Sequence, residues 1–121
     1  MKRRILLVED DQDIRETLRE VLIAEGYAVQ VASNGQEALD CLRAAVELPN
    51  LVLLDLMMPV KDGLAFRREQ QSDPLLAHVP IVLMTADSHI EEKRLRMQVQ
   101  AAIKKPFDLE LMLRTVAQTL R

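Results

Sequence analysis

Only one cysteine, Cys41, stands in the 121 residues, so the chain can form neither an internal disulfide nor a thiolate metal cluster. Histidine is almost as scarce. His78 and His89 lie too far apart to make a ligand pair on one helical face, and each reads as ordinary surface or packing chemistry. There is no tryptophan, with one tyrosine and two phenylalanines, which leaves few platforms for stacking bases. The formal net charge of −3 supplies no basic footprint either, so direct nucleic-acid binding is not expected. No stretch approaches the roughly 18 consecutive apolar residues of a membrane span. The basic start Met1-Lys2-Arg3-Arg4 leads into only Ile5-Leu6-Leu7-Val8 before acid appears, too short for a secretory h-region. Linkers, repeats and low-complexity segments are missing as well. These absences point to a soluble, cytoplasmic chain with no membrane partner, and the length fits one compact domain over residues 1–121.

What is present is an alternation of short apolar runs and amphipathic segments. Ile5–Val8, Ala28–Val31, Leu51–Leu54, Ile81–Met84 and a weaker Ala101–Ile103 read as strands, several of them apolar at consecutive positions as strands covered on both faces are. Between them, Ile14, Leu18, Val21 and Leu22 form one stripe that stops at Gly26. A second helix opens at Ser33-Asn34, with Glu37 three after Asn34, and should bury Ala38, Leu42 and Ala45. The last is the clearest: Leu109, Met112, Leu113, Val116, Ala117 and Leu120 recur at three and four residues behind Asp108, a natural N-cap. Such alternation with short links predicts an α/β fold, a doubly wound parallel sheet of five strands and five helices with right-handed crossovers.

In such sheets the functional crevice lies beyond the carboxyl ends of the strands. The residues there are Glu9, Asp10 and Asp11 after the first strand, Asp55 at the third, Thr85 and Ala86 at the fourth, and Lys105-Pro106 after the fifth. Several carboxylates at one rim repel one another unless a cation or raised pKa values relieve them. Oxygen donors without histidine or thiolate suit a hard cation, and few protein ligands with retained water is the habit of Mg²⁺. A phosphoryl group could then be held by the metal, the Lys105 ammonium and the Thr85 hydroxyl, leaving a carboxylate oxygen of Asp55 to attack it. Simpler readings compete. Asp10 and Asp11 could be simple N-caps, with Asp11 or Asp13 the better fit; Thr85 could merely end a strand, Lys105 could be a solvated charge beside the bystander Lys104, and the Met57-Met58 pair reads as core filler. Asp55 has the weakest simple reading, because a lone carboxylate closing a buried strand is costly.

In order and position, these residues make the whole chain resemble a bacterial response-regulator receiver domain, the family of the chemotaxis protein CheY. The resemblance implies a flavodoxin-like three-layer sandwich with strand order 2-1-3-4-5. It implies Asp55 as phosphoacceptor, followed by Pro59 and Gly63; Asp10 and Asp55 as Mg²⁺ ligands with the Met57 backbone carbonyl; and Glu9 behind them. Thr85 becomes the switch hydroxyl, and Lys105 the phosphate contact ahead of a cis bond to Pro106. The expected activity is a two-component signalling switch that is not an enzyme beyond self-catalysed phosphoryl transfer and slow self-dephosphorylation. Its expected partners are a sensor histidine kinase or phosphotransfer protein and a downstream effector. A homodimer is open, and so is the choice between a stand-alone regulator and the first domain of a longer one.

The sequence also departs from the family. Ala102 stands where an aromatic residue is usual, the interval from Thr85 to Lys105 is short, and Ile90 to Val99 has a poor apolar stripe with Lys93, Arg94 and Arg96 expected on the surface. A short, shifted or mobile fourth helix is the expectation. The alternative function is therefore a receiver-shaped interaction module without phosphorylation-dependent output. An aspartyl phosphohydrolase would want a second acid at Met57, and a flavin-binding flavodoxin a phosphate cradle where Glu9, Asp10 and Asp11 stand. Without a polar side chain at Met57 to orient water, the aspartyl phosphate should be long-lived, with Asp87 the nearest substitute.

Overall fold

The computed structural model describes residues 2–121. Five strands alternate with five helices: β1 (Arg4–Val8), α1 (Gln12–Ala24), β2 (Ala28–Ala32), α2 (Gly35–Ala44), β3 (Leu51–Asp55), α3 (Gly63–Ser72), β4 (Ile81–Thr85), α4 (Ile90–Met97), β5 (Ala101–Lys104) and α5 (Leu109–Thr119). Every pairing is parallel, and the order across the sheet is β2-β1-β3-β4-β5, as expected.

Period-two alternation divides the core. Leu6, Val8, Val52, Leu54, Ile81 and Leu83 face α2, α3 and α4, whereas Ile5, Leu7, Leu51, Leu53, Val82, Met84 and Ile103 face α1 and α5. Both faces of β1, β3 and β4 are thus covered, which is why their sequences run apolar without alternation. Side-chain caps start four of the helices: Asp11, Asn34, Asp62 and Asp108 accept from the N–H groups of Ile14, Glu37, Ala65 and Leu111. Glu37 reaches back to the Ser33 N–H and hydroxyl, one residue before the cap.

Several expectations need correction. Ala45 ends α2 in an extended conformation and is only half-buried. Ile14 and Leu109 are exposed, because they lie in the first turns of α1 and α5, above the rim of the sheet. Lys93 and Arg94 are half-buried, paired with Asp87 and Glu91; only Arg96 of the three is exposed. Met57 is not core filler, since its side chain is exposed, while Met58 packs against the α2-α3-α4 cluster. The fourth helix is indeed the shortest, at 8 residues, and ends on Gln98 in a left-handed conformation.

What secures that end of α4 is a buried polar group on α3. Arg67 donates from Nε to the Met97 carbonyl at 2.9 Å, from one terminal nitrogen to the Gln98 carbonyl at 2.7 Å, and from the other to Gln70 Oε1 at 2.7 Å. Gln70, fully buried, passes its own N–H groups to the carbonyls of Leu76 and Val79. Arg67→Met would keep the apolar stem and strand three acceptors. It should cost about 2–4 kcal/mol in urea unfolding, and a loss under half a kcal/mol would show that water satisfies those carbonyls instead.

Candidate phosphoacceptor site

The pleat that divides the core also assembles the site. Glu9 continues the parity of Ile5 and Leu7, Asp55 that of Leu51 and Leu53, and Lys105 that of Ile103, so all three leave the strand ends on the α1-α5 side. Lys104 has the opposite parity and is exposed, which makes it the bystander. Lys105 Nζ lies 2.7 Å from Glu9 Oε1 and 3.2 Å from Asp55 Oδ1, an ammonium shared by two buried carboxylates. Its backbone N–H donates to the Thr85 carbonyl at 2.7 Å, and the Lys105–Pro106 bond is cis.

Glu9, Asp10 and Asp55 each bring a carboxylate oxygen within 4.8 Å of the others. Glu9 also accepts from the Asp11 N–H at 3.2 Å, while its carbonyl takes a hydrogen bond from Arg15 at 2.9 Å. Asp10 is exposed at the mouth, free of the capping duty that Asp11 performs. Burial pushes the Asp55 carboxyl up, the Glu9 charge pushes it further, and Lys105 only partly offsets them, leaving it at about 7. Burial works against the Lys105 ammonium, but its hydrogen bond to Glu9 and the charge of Asp55 prevail and hold its pKa above the ordinary value. An all-oxygen donor set whose mutual repulsion is only partly relieved by Lys105 fits a hard divalent cation.

Thr85 ends β4, one position beyond Met84, the register partner of Asp55. Its parity follows Ile81 and Leu83, toward α4, and Ala102 packs on that same side. The Thr85 hydroxyl accepts from the Asp87 N–H at 3.0 Å. Asp87 is not free to serve the site: Oδ1 accepts from the His89 N–H at 2.8 Å and Oδ2 lies 3.3 Å from Lys93 Nζ. Those contacts, the His89 N–H first, hold its carboxyl below the usual range. Met57 lies two residues past Asp55 in the loop to α3, with its side chain turned to solvent. Sequence reasoning missed two features: the engagement of Asp87, signalled only by an Asp two before the helix-opening His89, and an apolar groove of about 460 Å³ beside Lys105, lined by Ile14, Leu18, Phe107 and Leu109.

Comparison with known proteins follows the same line. The family model described as the response regulator receiver domain matches residues 5–117. The response regulator MprA of Mycolicibacterium vanbaalenii is 39% identical over 123 residues, covering 100% of this chain and 52% of that protein; the chain spans about half the length of the curated relatives it matches. Among solved structures, the chemotaxis response regulator CheY4 of Vibrio cholerae matches with a TM-score of 0.89 at 26% identity, over 98% of this chain and 99% of that one. The receiver domain of the sensor histidine kinase PA1611 of Pseudomonas aeruginosa, solved with a magnesium ion coordinated in its active site cleft, shares the fold with a TM-score of 0.87 at 24% identity, over 99% of this chain and 98% of that one.

The raised pKa of Asp55 has a stability consequence. An unfolded aspartate ionises near 4, so between about pH 4 and pH 7 the folded chain holds a proton that the unfolded chain has lost, and stability falls as pH rises through that window. In metal-free buffer, Asp55→Asn should therefore melt several degrees above the parent at pH 8, with the gap shrinking as pH falls through 7 and nearly closed at pH 4. A lower melting temperature for the variant at pH 8 would mean that the Lys105 pairing outweighs repulsion and burial.

Proposed function

The chain belongs to the response regulator receiver domain family of two-component signalling, and from that membership we propose that it is a phosphoacceptor switch, with Asp55 taking a phosphoryl group from the phosphohistidine of a sensor kinase or phosphotransfer protein in the cytoplasm. The observation that carries this reading is the Lys105 ammonium held between the buried carboxylates of Glu9 and Asp55 at the carboxyl edge of the sheet. A carboxylate oxygen of Asp55 attacks phosphorus as the donor's P–N bond breaks, and the imidazole departs with the bond's electrons and takes up a proton. Lys105, already aimed at Asp55, meets the growing charge on the phosphoryl oxygens, and the Thr85 hydroxyl contacts one of them. Asp10, Asp55 and the Met57 carbonyl would hold Mg²⁺, with Glu9 behind them; when bound, the ion neutralises phosphoryl charge. The magnesium in the Pseudomonas receiver's cleft is in keeping with that choice.

The chain acts on itself and is not an enzyme in the turnover sense. Neither Met57, which carries no acid or base, nor Asp87, whose two oxygens are engaged, is available to orient water, so the phosphorylated state should persist. The readout is a change in the partner-binding face presented to an effector, driven by the different interactions of Thr85 and Lys105 in the two states.

Exposure to acetyl phosphate with Mg²⁺ should add one phosphate by intact-mass spectrometry, and Asp55→Asn should add none. Failure of the parent to gain mass would favour a receiver-shaped interaction module, and a full adduct on the variant would place the acceptor elsewhere.

Mg²⁺ should also raise the melting temperature of the free chain, by the equivalent of about 2.7 kcal/mol at a hundredfold excess over Kd. Asp10→Ala should remove most of that rise. An undiminished response in the variant would move the metal to other ligands.

A further inference from the structure

We infer that Gly35, at the first position of α2, is a positioning residue for the phosphoacceptor site: its missing side chain lets the loop after Asp55 dock against α2 and hold Met57 in register. The inference rests on the proposed role of Met57 and Asp55 in metal binding.

The loop from Leu56 to Asp62 is tied down at both ends, and near its far end Lys61 ties it to two neighbouring helices, α2 through its carbonyl and α3 through its side chain. The Leu56 N–H donates to the Met84 carbonyl at 3.0 Å, and the Gly63 N–H donates back to the Leu56 carbonyl at 2.8 Å, which closes the loop on itself. The tie to α2 is remote in sequence. The buried Gly35 donates its N–H to the Lys61 carbonyl at 2.8 Å. A Cβ at Gly35 would stand 2.7 Å from that oxygen, 3.0 Å from Lys61 Cγ and 3.2 Å from the Asp62 carbonyl oxygen. Two of the three obstacles are backbone, so a side chain at Gly35 must push the loop away.

Between the ties the loop is under strain. Val60, β-branched and exposed, has φ +68°, and the Lys61 N–H closes a three-residue turn onto the Pro59 carbonyl at 2.7 Å. Such a conformation persists only where the surroundings over-determine it. Here the determinants are the Gly35 N–H and the Lys61 side chain, which pairs with Glu69 of α3, itself 3.7 Å from Arg43 of α2. Met57 has no freedom of its own, since four residues separate Leu56 from Lys61. Moving the Lys61 carbonyl moves the backbone that carries the Met57 carbonyl.

Isothermal titration with Mg²⁺ reads the effect without phosphorylation. Gly35→Ala should weaken Mg²⁺ binding by about 10-fold, the scale of losing a group that orients a metal ligand. Hydrogen exchange at Lys61 and Gly63 should also quicken in metal-free protein. Val116→Ala, a core truncation on the α1-α5 side, should lower the melting temperature and leave Mg²⁺ affinity at the parental value. If Gly35→Ala does not fold, Lys61→Met, which removes only the link to Glu69, should still weaken Mg²⁺ binding by about 2-fold to 3-fold. Parental affinity in whichever of these two variants folds, or an equal loss in Val116→Ala, overturns the inference. A parent that binds no Mg²⁺, or binds it unaltered after Asp10→Ala, instead overturns the metal reading beneath it, and hydrogen exchange at Lys61 and Gly63 then decides whether Gly35 holds the loop.

Discussion

Two carboxylates and one ammonium share a desolvated edge of the sheet, and the balance among them is never complete. Glu9 and Asp55 are both buried, a single Lys105 lies between them, and Asp55 stays near 7 because burial disfavours its charge and Glu9 repels it, while one ammonium offsets only part of both. The sheet tolerates this because the surrounding strands are fully buried and bonded on both sides, which supplies the stability that the rim spends. A site with an uncompensated negative charge favours the arrival of a cation, and a lysine already in place favours the arrival of phosphoryl oxygens.

The supports differ around the site. Glu9 and Asp55 leave rigid strands, whereas Asp10 stands exposed in the link to α1 and Met57 rides a strained loop. Precision in the strand-borne groups comes from the ladder; in the loop-borne ones it comes from docking against a neighbouring helix. Gly35 belongs to that second kind of support, and Arg67 does the same for the far end of α4.

Much of this was legible from residues alone. Strands buried on both faces give unbroken apolar runs such as Leu51–Leu54, and the carboxylate at their end stands out because no packing argument explains it. The N-caps Asn34 and Asp108 follow from local hydrogen bonding, whereas the choice of Asp11 over Asp13 needed the structure. Other features depend on tertiary adjacency and leave no local trace. The contact of Gly35 with Lys61 spans two elements, and Arg67 and Gln70 occupy buried positions of α3 that a hydrophobic pattern assigns to apolar side chains. Ile14 and Leu109 misled for the opposite reason: helical periodicity sets which face a residue takes but not whether the sheet extends far enough to cover it.

The asymmetric fastening of α4 has a mechanical consequence. Its C-terminal carbonyls are gripped by a buried guanidinium, while its N-terminal end is held by Asp87, through the His89 N–H and the Lys93 ammonium at the surface. A rod pinned at one end and lightly held at the other answers a push by swinging, not by sliding. A shift of the Thr85 hydroxyl, which is bonded to the Asp87 N–H, acts at the lightly held end, where the lever arm is the full length of the helix.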